Sequence, residues 1–208
     1  MNSPWPQAPL LSAILGWGYF LAWSASFWPQ LVINYRRKSV DGLSLDFLAY
    51  NIVGFSCYSV YTLSFYFSSS VQQEFKRRND GRENLVATND VVFAIHAWAL
   101  TIATGLQAVR YRRRRHSLSG FAKLVLAAFF ASTVLMLGWT VDEPVTGALD
   151  LVYFLGSWKL VMSLIKYIPQ MWVNFRDKST EGWSIHNILL DSTGGILSLT
   201  QLFLDAWI

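Results

Sequence analysis

A single cysteine, Cys57, stands among 208 residues, so no disulfide within the chain can brace the fold. Charge is scarce too: Asp, Glu, Lys and Arg make up 14% of the chain, where soluble domains carry about a quarter. There is no nucleophile and base pattern, no glycine-rich phosphate loop and no Cys/His zinc spacing, so neither an enzyme nor a metal or cofactor site is expected. No Asn-x-Ser/Thr glycosylation sequon occurs. The net charge of +4 does not point to nucleic acid, because a nucleic-acid binder carries its basic residues along an exposed face. Here long stretches carry no charge at all.

What the chain has instead is apolar surface: 53% hydrophobic residues, 16% aromatic, ten tryptophans and a mean hydropathy of +0.30. That composition excludes disorder. No charge occurs from Met1 to Tyr35 or from Phe47 to Gln73, windows longer than the roughly 20 residues that cross a bilayer as helix. The first window lacks the basic start of a secretory signal and reads as a membrane helix. Further apolar segments bring the expected spans to six, at about 10–35, 47–68, 91–109, 120–141, 149–175 and 183–207. They are expected to be helical, since a span must satisfy its own backbone and no alternating strand pattern appears.

Eleven basic residues fall on one side of these spans: Arg36, Arg37, Lys38, Arg110, Arg112 to Arg115, Lys123, Arg176 and Lys178. The opposite side holds Lys76, Arg77, Arg78 and Arg82 beside Glu74, Asp80 and Glu83. The positive-inside tendency makes the first side cytosolic and the N-terminus luminal or external. Arg112 to Arg115 anchor this topology. The two remaining basic residues, Lys159 and Lys166, lie inside the fifth span.

Residues 29–55, PQLVINYRRKSVDGLSLDFLAYNIVGF, return at 169–195 as PQMWVNFRDKSTEGWSIHNILLDSTGG, identical at nine of 27 positions with an offset of 140. Identities at Pro, Gln, Asn and Gly cannot follow from hydrophobic composition. Pro29 and Pro169 each remove a helical hydrogen bond and are candidate hinges. Gly42 and Gly182 suit a tight turn, with Ser44 and Ser184 as caps of the next helix. Both copies run in the same direction, as in transporters with parallel repeats around a midplane site. The organisation reads as a first repeat at 1–109, a linker with a fourth span at 110–147 and a second repeat at 148–208.

Ionisable groups inside a span mark function by default. Asp191, whose counterpart is Asn51, is a candidate proton acceptor. Lys159, Lys166 and Gln170 share one stripe of the fifth span, suited to a ligand with a carboxylate at each end. Trp23, Phe27 and Gln30 share a face of the first span, and Asn187 shares a face with Asp191. Asp90 stands at the start of the third span, where a helix N-terminus also favours an acid. His96 reads as a packed histidine.

The Pro-Gln element ending in Asn-(Tyr/Phe)-Arg-x-Lys-Ser resembles the PQ-loop membrane proteins, all-α polytopic proteins with a 3+1+3 arrangement of seven helices. More narrowly, the segments at 16–55, 88–97 and 166–204 look like the cystinosin branch of lysosomal cystine transporters. That resemblance implies proton-coupled export of L-cystine from a lysosome or vacuole to the cytosol, with protons as the coupling ion and no cofactor. It implies Asp191 and Asp90 as proton-coupling groups. It implies Trp23, Phe27, Gln30, Asn51, Lys159, Lys166, Tyr167, Gln170, Asn187 and Asp191 as substrate contacts. The resemblance would place a seventh helix 140 residues after the third span, at 231–249, so the chain is expected to be a truncated or six-span product. The alternatives are another PQ-loop amino-acid or sugar transporter, a membrane receptor, or an inactive product.

Overall fold

The computed structural model describes residues 7–111, 117–142 and 144–207; Arg112 to Arg115 lie outside the described residues. Every regular element among them is helical: α1 (Ala8–Arg37), α2 (Leu45–Phe67), α3 (Ser69–Arg78), α4 (Thr88–Tyr111), α5 (Gly120–Asp142), α6 (Pro144–Ile165), α7 (Tyr167–Asp177) and α8 (Ile185–Trp207). The chain is a multi-pass membrane protein. The α1, α4 and α5 segments and the combined stretch Thr146–Asp177 are long and apolar enough to cross a bilayer. The α2 and α8 helices, at 23 residues each, rise about 34 Å at 1.5 Å per residue and match that length. Their mean hydropathy is lowered by Asn51 and a run of tyrosines and serines in α2, and by Asn187 and Asp191 in α8.

Helix α4 packs against both α1 and α2, α2 also packs against α6, and α1 runs along α8. With little hydrophobic drive between helices in lipid, interhelical hydrogen bonds and close packing hold such contacts. Along α1 and α8, Gln201 Nε2 donates to Ser12 O at 3.0 Å, Trp23 Nε1 to Asp191 O at 3.0 Å, and Asn187 Nδ2 to Ser26 O at 2.7 Å. Between α2 and α4, Ser59 Oγ donates to Ala94 O at 3.1 Å. Helix α5 packs mainly on α6, with Phe129 edge-on to Trp158 at 5.4 Å, and completes an apolar cluster with Tyr50 and Cys57 of α2 and Leu155 and Met162 of α6.

The two candidate hinges behave differently. Pro29 lies inside an unbroken α1, whereas the fifth span breaks at Lys166, three residues before Pro169, and separates α6 from α7. Both helices that carry a Pro-Gln pair end in a left-handed lysine, Lys38 and Lys178, each at φ 50°.

Helix α3 was not expected from the hydropathy. Ser68 Oγ accepts from Val71 N at its start, and Glu74, almost fully buried, accepts from Arg77 and Arg78. Arg78 also bonds Asp150 and, at 3.1 Å, the Thr146 carbonyl, which ties α3 to the start of α6. Two guanidinium groups hold the Glu74 carboxyl down at about 2.

Candidate functional site

The basic ends of the two repeats close on each other through the Pro-Gln pairs. Gln30 Nε2 donates to Gly182 O at 2.9 Å and Gln30 Oε1 accepts from Ser184 N at 2.9 Å. In mirror fashion Gln170 Nε2 donates to Gly42 O and Gln170 Oε1 accepts from Ser44 N, both at 2.8 Å. Each amide is further held by the asparagine one turn on, Asn34 at 2.8 Å and Asn174 at 3.0 Å. Gly42 and Gly182, at φ 91° and 90°, touch back to back: a Cβ on either would lie 1.9 Å from the carbonyl oxygen of Glu181 or Asp41. Only glycine meets both demands here. Arg37 to Glu181, at 3.1 Å, spans the same contact.

Directly inside this closure lies a cavity of about 40 Å³, room for about one water, whose share of liquid volume is about 30 Å³. Ser26, Phe27 and Gln30 line it from α1, Phe47, Leu48 and Asn51 from α2, Thr101 and Thr104 from α4, and Lys166, Asn187 and Asp191 from the second repeat. Tyr167 Oη donates to Asp191 Oδ2, and Lys166 Nζ lies 3.6 Å from the same oxygen. These three groups form a carboxylate, cation and phenol cluster between the repeats. The repeat offset explains the asymmetry of its walls: the first-repeat counterparts of Lys159, Lys166, Tyr167 and Asp191 are Tyr19, Ser26, Phe27 and Asn51.

Lys159 sits one cavity away, between Asn51, Gly54 and Ser163. Its Nζ donates to Ser163 Oγ at 2.6 Å and lies over the rings of Phe55 and Tyr58 at 5.4 and 5.6 Å. Asn51, which lines the central cavity, donates from Nδ2 to Phe47 O at 3.1 Å. Among the described residues no group of three His, Cys, Asp or Glu could hold a metal ion.

Three of the expected site residues, Gln170, Trp23 and Asp90, are not in the lining of this cavity. Gln170 does not line the cavity, because both ends of its amide are taken by the opposite loop. Trp23 stands against α8: its ring fills the space over Gly194, where a Cβ would come within 2.4 Å of it. Asp90 is in the first turn of α4, away from the cluster, and its Oδ2 accepts from Ala87 N at 2.9 Å. His96 packs between Phe27 and Trp28. Thr101, Thr104, Ser26 and Ser163 went unremarked in the sequence. The repeat alignment offers a signal for Ser26, the partner of Lys166, and none for the threonines.

The PQ loop repeat matches residues 11–71 and 151–208, two segments that begin 140 residues apart. The chain belongs to the PQ-loop repeat family. Within that family this PQ-loop protein is 48% identical over 195 residues to a protein named cystinosin from Drosophila melanogaster, covering 94% of the chain and 49% of the fly protein. A cystinosin homolog from Dictyostelium discoideum is 42% identical over 200 residues, covering 94% of the chain and 68% of that protein. A cystine transporter from Saccharomyces cerevisiae is 30% identical over 206 residues, covering 92% of the chain and 78% of the yeast protein. The PQ-loop chain thus spans about half the length of the fly relative.

Proposed function

We propose that this protein carries L-cystine together with protons across a lysosomal or vacuolar membrane, from the lumen to the cytosol, by alternating access. The observation that carries the reading is the pair Asp191 and Lys166 lining a cavity between two repeats, with Tyr167 bonded to Asp191, inside helices that cross a bilayer. Relatives named cystinosin and cystine transporter supply the substrate class. The basic side is taken as cytosolic from the charge bias, which makes the N-terminus luminal.

The geometry suggests how proton and substrate are linked. While Asp191 is ionised, it is the counter-charge of Lys166. Protonating Asp191 leaves a buried ammonium unpaired, which is costly by several kcal/mol. A cystine carboxylate restores the partner, and Lys159 meets the other end of the ligand. Proton and substrate therefore bind better together than apart. Closing over both and parting the Gln30 and Gln170 contacts would expose them to the cytosol. A gradient of about two pH units is worth about 2.7 kcal/mol per proton, enough for about a hundredfold cystine gradient at one-to-one coupling.

The test is uptake of labelled cystine into liposomes containing the purified full chain, with Lys159→Ala beside the parent. Cystine uptake that lysine and glucose do not compete for, and that Lys159→Ala abolishes, supports the reading. Uptake equal to that of empty liposomes overturns it.

A further inference from the structure

At the end of the molecule away from the basic loops, α1, α4 and α8 border a wide, open chamber of about 660 Å³, lined among others by Trp17, Tyr19, Phe20, Asn89 and Gln201. No residue lines both this chamber and the central cavity: Phe20 belongs to the first and Phe27, two turns along α1, to the second. The space between them is filled by rings. Phe93 of α4 reaches between α1 and α2 and meets four of them, Phe20 at 6.3 Å, Trp23 at 6.0 Å, Phe27 at 6.4 Å and Tyr58 at 6.2 Å. Phe93 is thus the common neighbour of the whole partition.

We propose that Phe93 is the gate residue of the wide side, the ring whose displacement joins the outer chamber to the central cavity. Two of its neighbours on α1, Trp23 and Phe27, are held by further contacts. The Trp23 indole is fixed by its N–H bond to the Asp191 carbonyl and by the flat contact on Gly194. Phe27 is also edge-on to Phe55 at 5.1 Å and to His96 at 6.4 Å. Phe93 carries no polar atom, is only half-buried, and needs a change of side-chain rotamer rather than a helix movement to swing aside. A charged amino acid cannot pass a closed layer of aromatic rings without giving up its hydration. The partition therefore makes a thin gate, while the backbone-held loops at the basic end make a thick one that only movement of the repeats can open.

The gate assignment rests on the reading of the central cavity as the transport site, so its test reads access and not transport. In a Cys57→Ser background, Ser26→Cys places one thiol in the central cavity of the full chain in liposomes. A small cationic methanethiosulfonate reagent is added on the side of the α1 N-terminus. Phe93→Ala raises the labelling rate about tenfold or more, the effect of about 1.4 kcal/mol on an opening equilibrium, which loss of four ring contacts exceeds. Phe93→Leu gives a smaller rise and covers the case in which the alanine variant does not fold. Phe93→Trp gives none, and neither does Trp17→Ala at the chamber rim. Labelling that Phe93→Ala and Phe93→Leu leave unchanged overturns the assignment. So does a rise that is equal from the basic side, which is general loosening. Failure of cystine uptake in the parent protein, with the labelling pattern intact, overturns the substrate reading and not the gate.

Discussion

Gln30 reaches from the first repeat to the backbone of Ser184 in the second, accepting its N–H at 2.9 Å, and Gln170 returns the same bond to Ser44 at 2.8 Å. With the donor bonds to Gly182 and Gly42, four hydrogen bonds cross the pseudo-twofold relation of the repeats within a tenth of an ångström of each other. None depends on a side chain of the opposite repeat. The Pro-Gln pair thus works here as a clamp on the other loop: Gln170 is taken up wholly by the bonds it makes, and Gln30 makes the same bonds from the edge of the cavity.

Replacing Gln30 or Gln170 by alanine removes two of the four cross-repeat bonds. At about 1 kcal/mol net each, the balance shifts about thirtyfold toward the state open at the basic end. The readout is thiol labelling, from the basic side, of a cysteine placed at Thr104. Gln30→Ala and Gln170→Ala should act alike, because their bonds are equivalent.

Gly42→Ala and Gly182→Ala meet a backbone oxygen at 1.9 Å in addition to an unfavourable φ. Gly81, at φ 79° with nothing within 4 Å, carries only the conformational penalty. Thermal melts in detergent should show Gly81→Ala lowering stability by about 1 kcal/mol. The other two should lose considerably more, or lose the closed state altogether.

Gly194→Ala should abolish transport while leaving a folded protein, because the Trp23 ring, 2.4 Å from the new methyl, must leave its bond to the Asp191 carbonyl. Gly54→Ala, its repeat counterpart, meets Met162 Cβ at 3.3 Å and should be much milder. Cystine uptake measured for both, at matched reconstitution, separates the two cases.

The ion pairs that Glu74 makes inside α3 are built to survive acid. The Glu74 carboxyl is held at about 2, below its unfolded value of about 4.3. For a depressed carboxyl the stabilisation is complete above the unfolded value and fades as pH falls through the folded one. The difference in melting temperature between the parent and Glu74→Gln should therefore be constant from pH 7 down to about 5 and shrink only below about 4.3.

The helices long and apolar enough to cross a bilayer, α1, α4, α5 and the stretch Thr146–Asp177, could be read from the sequence because the bilayer imposes a length and a charge rule that act one segment at a time. The equivalence of Pro29 to Asn34 with Pro169 to Asn174 could also be read, from identities that hydropathy does not explain. What Gln30 and Gln170 bind could not, since their partners are backbone atoms about 150 and 130 positions away and carry no residue signature. The placement of Trp23 against Gly194 is hidden for the same reason. Helix α3 did carry a local signal, Ser68 as cap, Val71 and Phe75 on one face, and Glu74 four residues before Arg78, but it is too short and polar for a search for spans to register.

The central claim, coupling of cystine to protons through Asp191, is tested most directly by cystine uptake into liposomes with and without an imposed pH gradient, acid on the side of the α1 N-terminus. The account predicts that the gradient accelerates and concentrates cystine uptake in the parent protein, and that Asp191→Asn removes this dependence. Gradient-driven accumulation that persists undiminished in Asp191→Asn would contradict it.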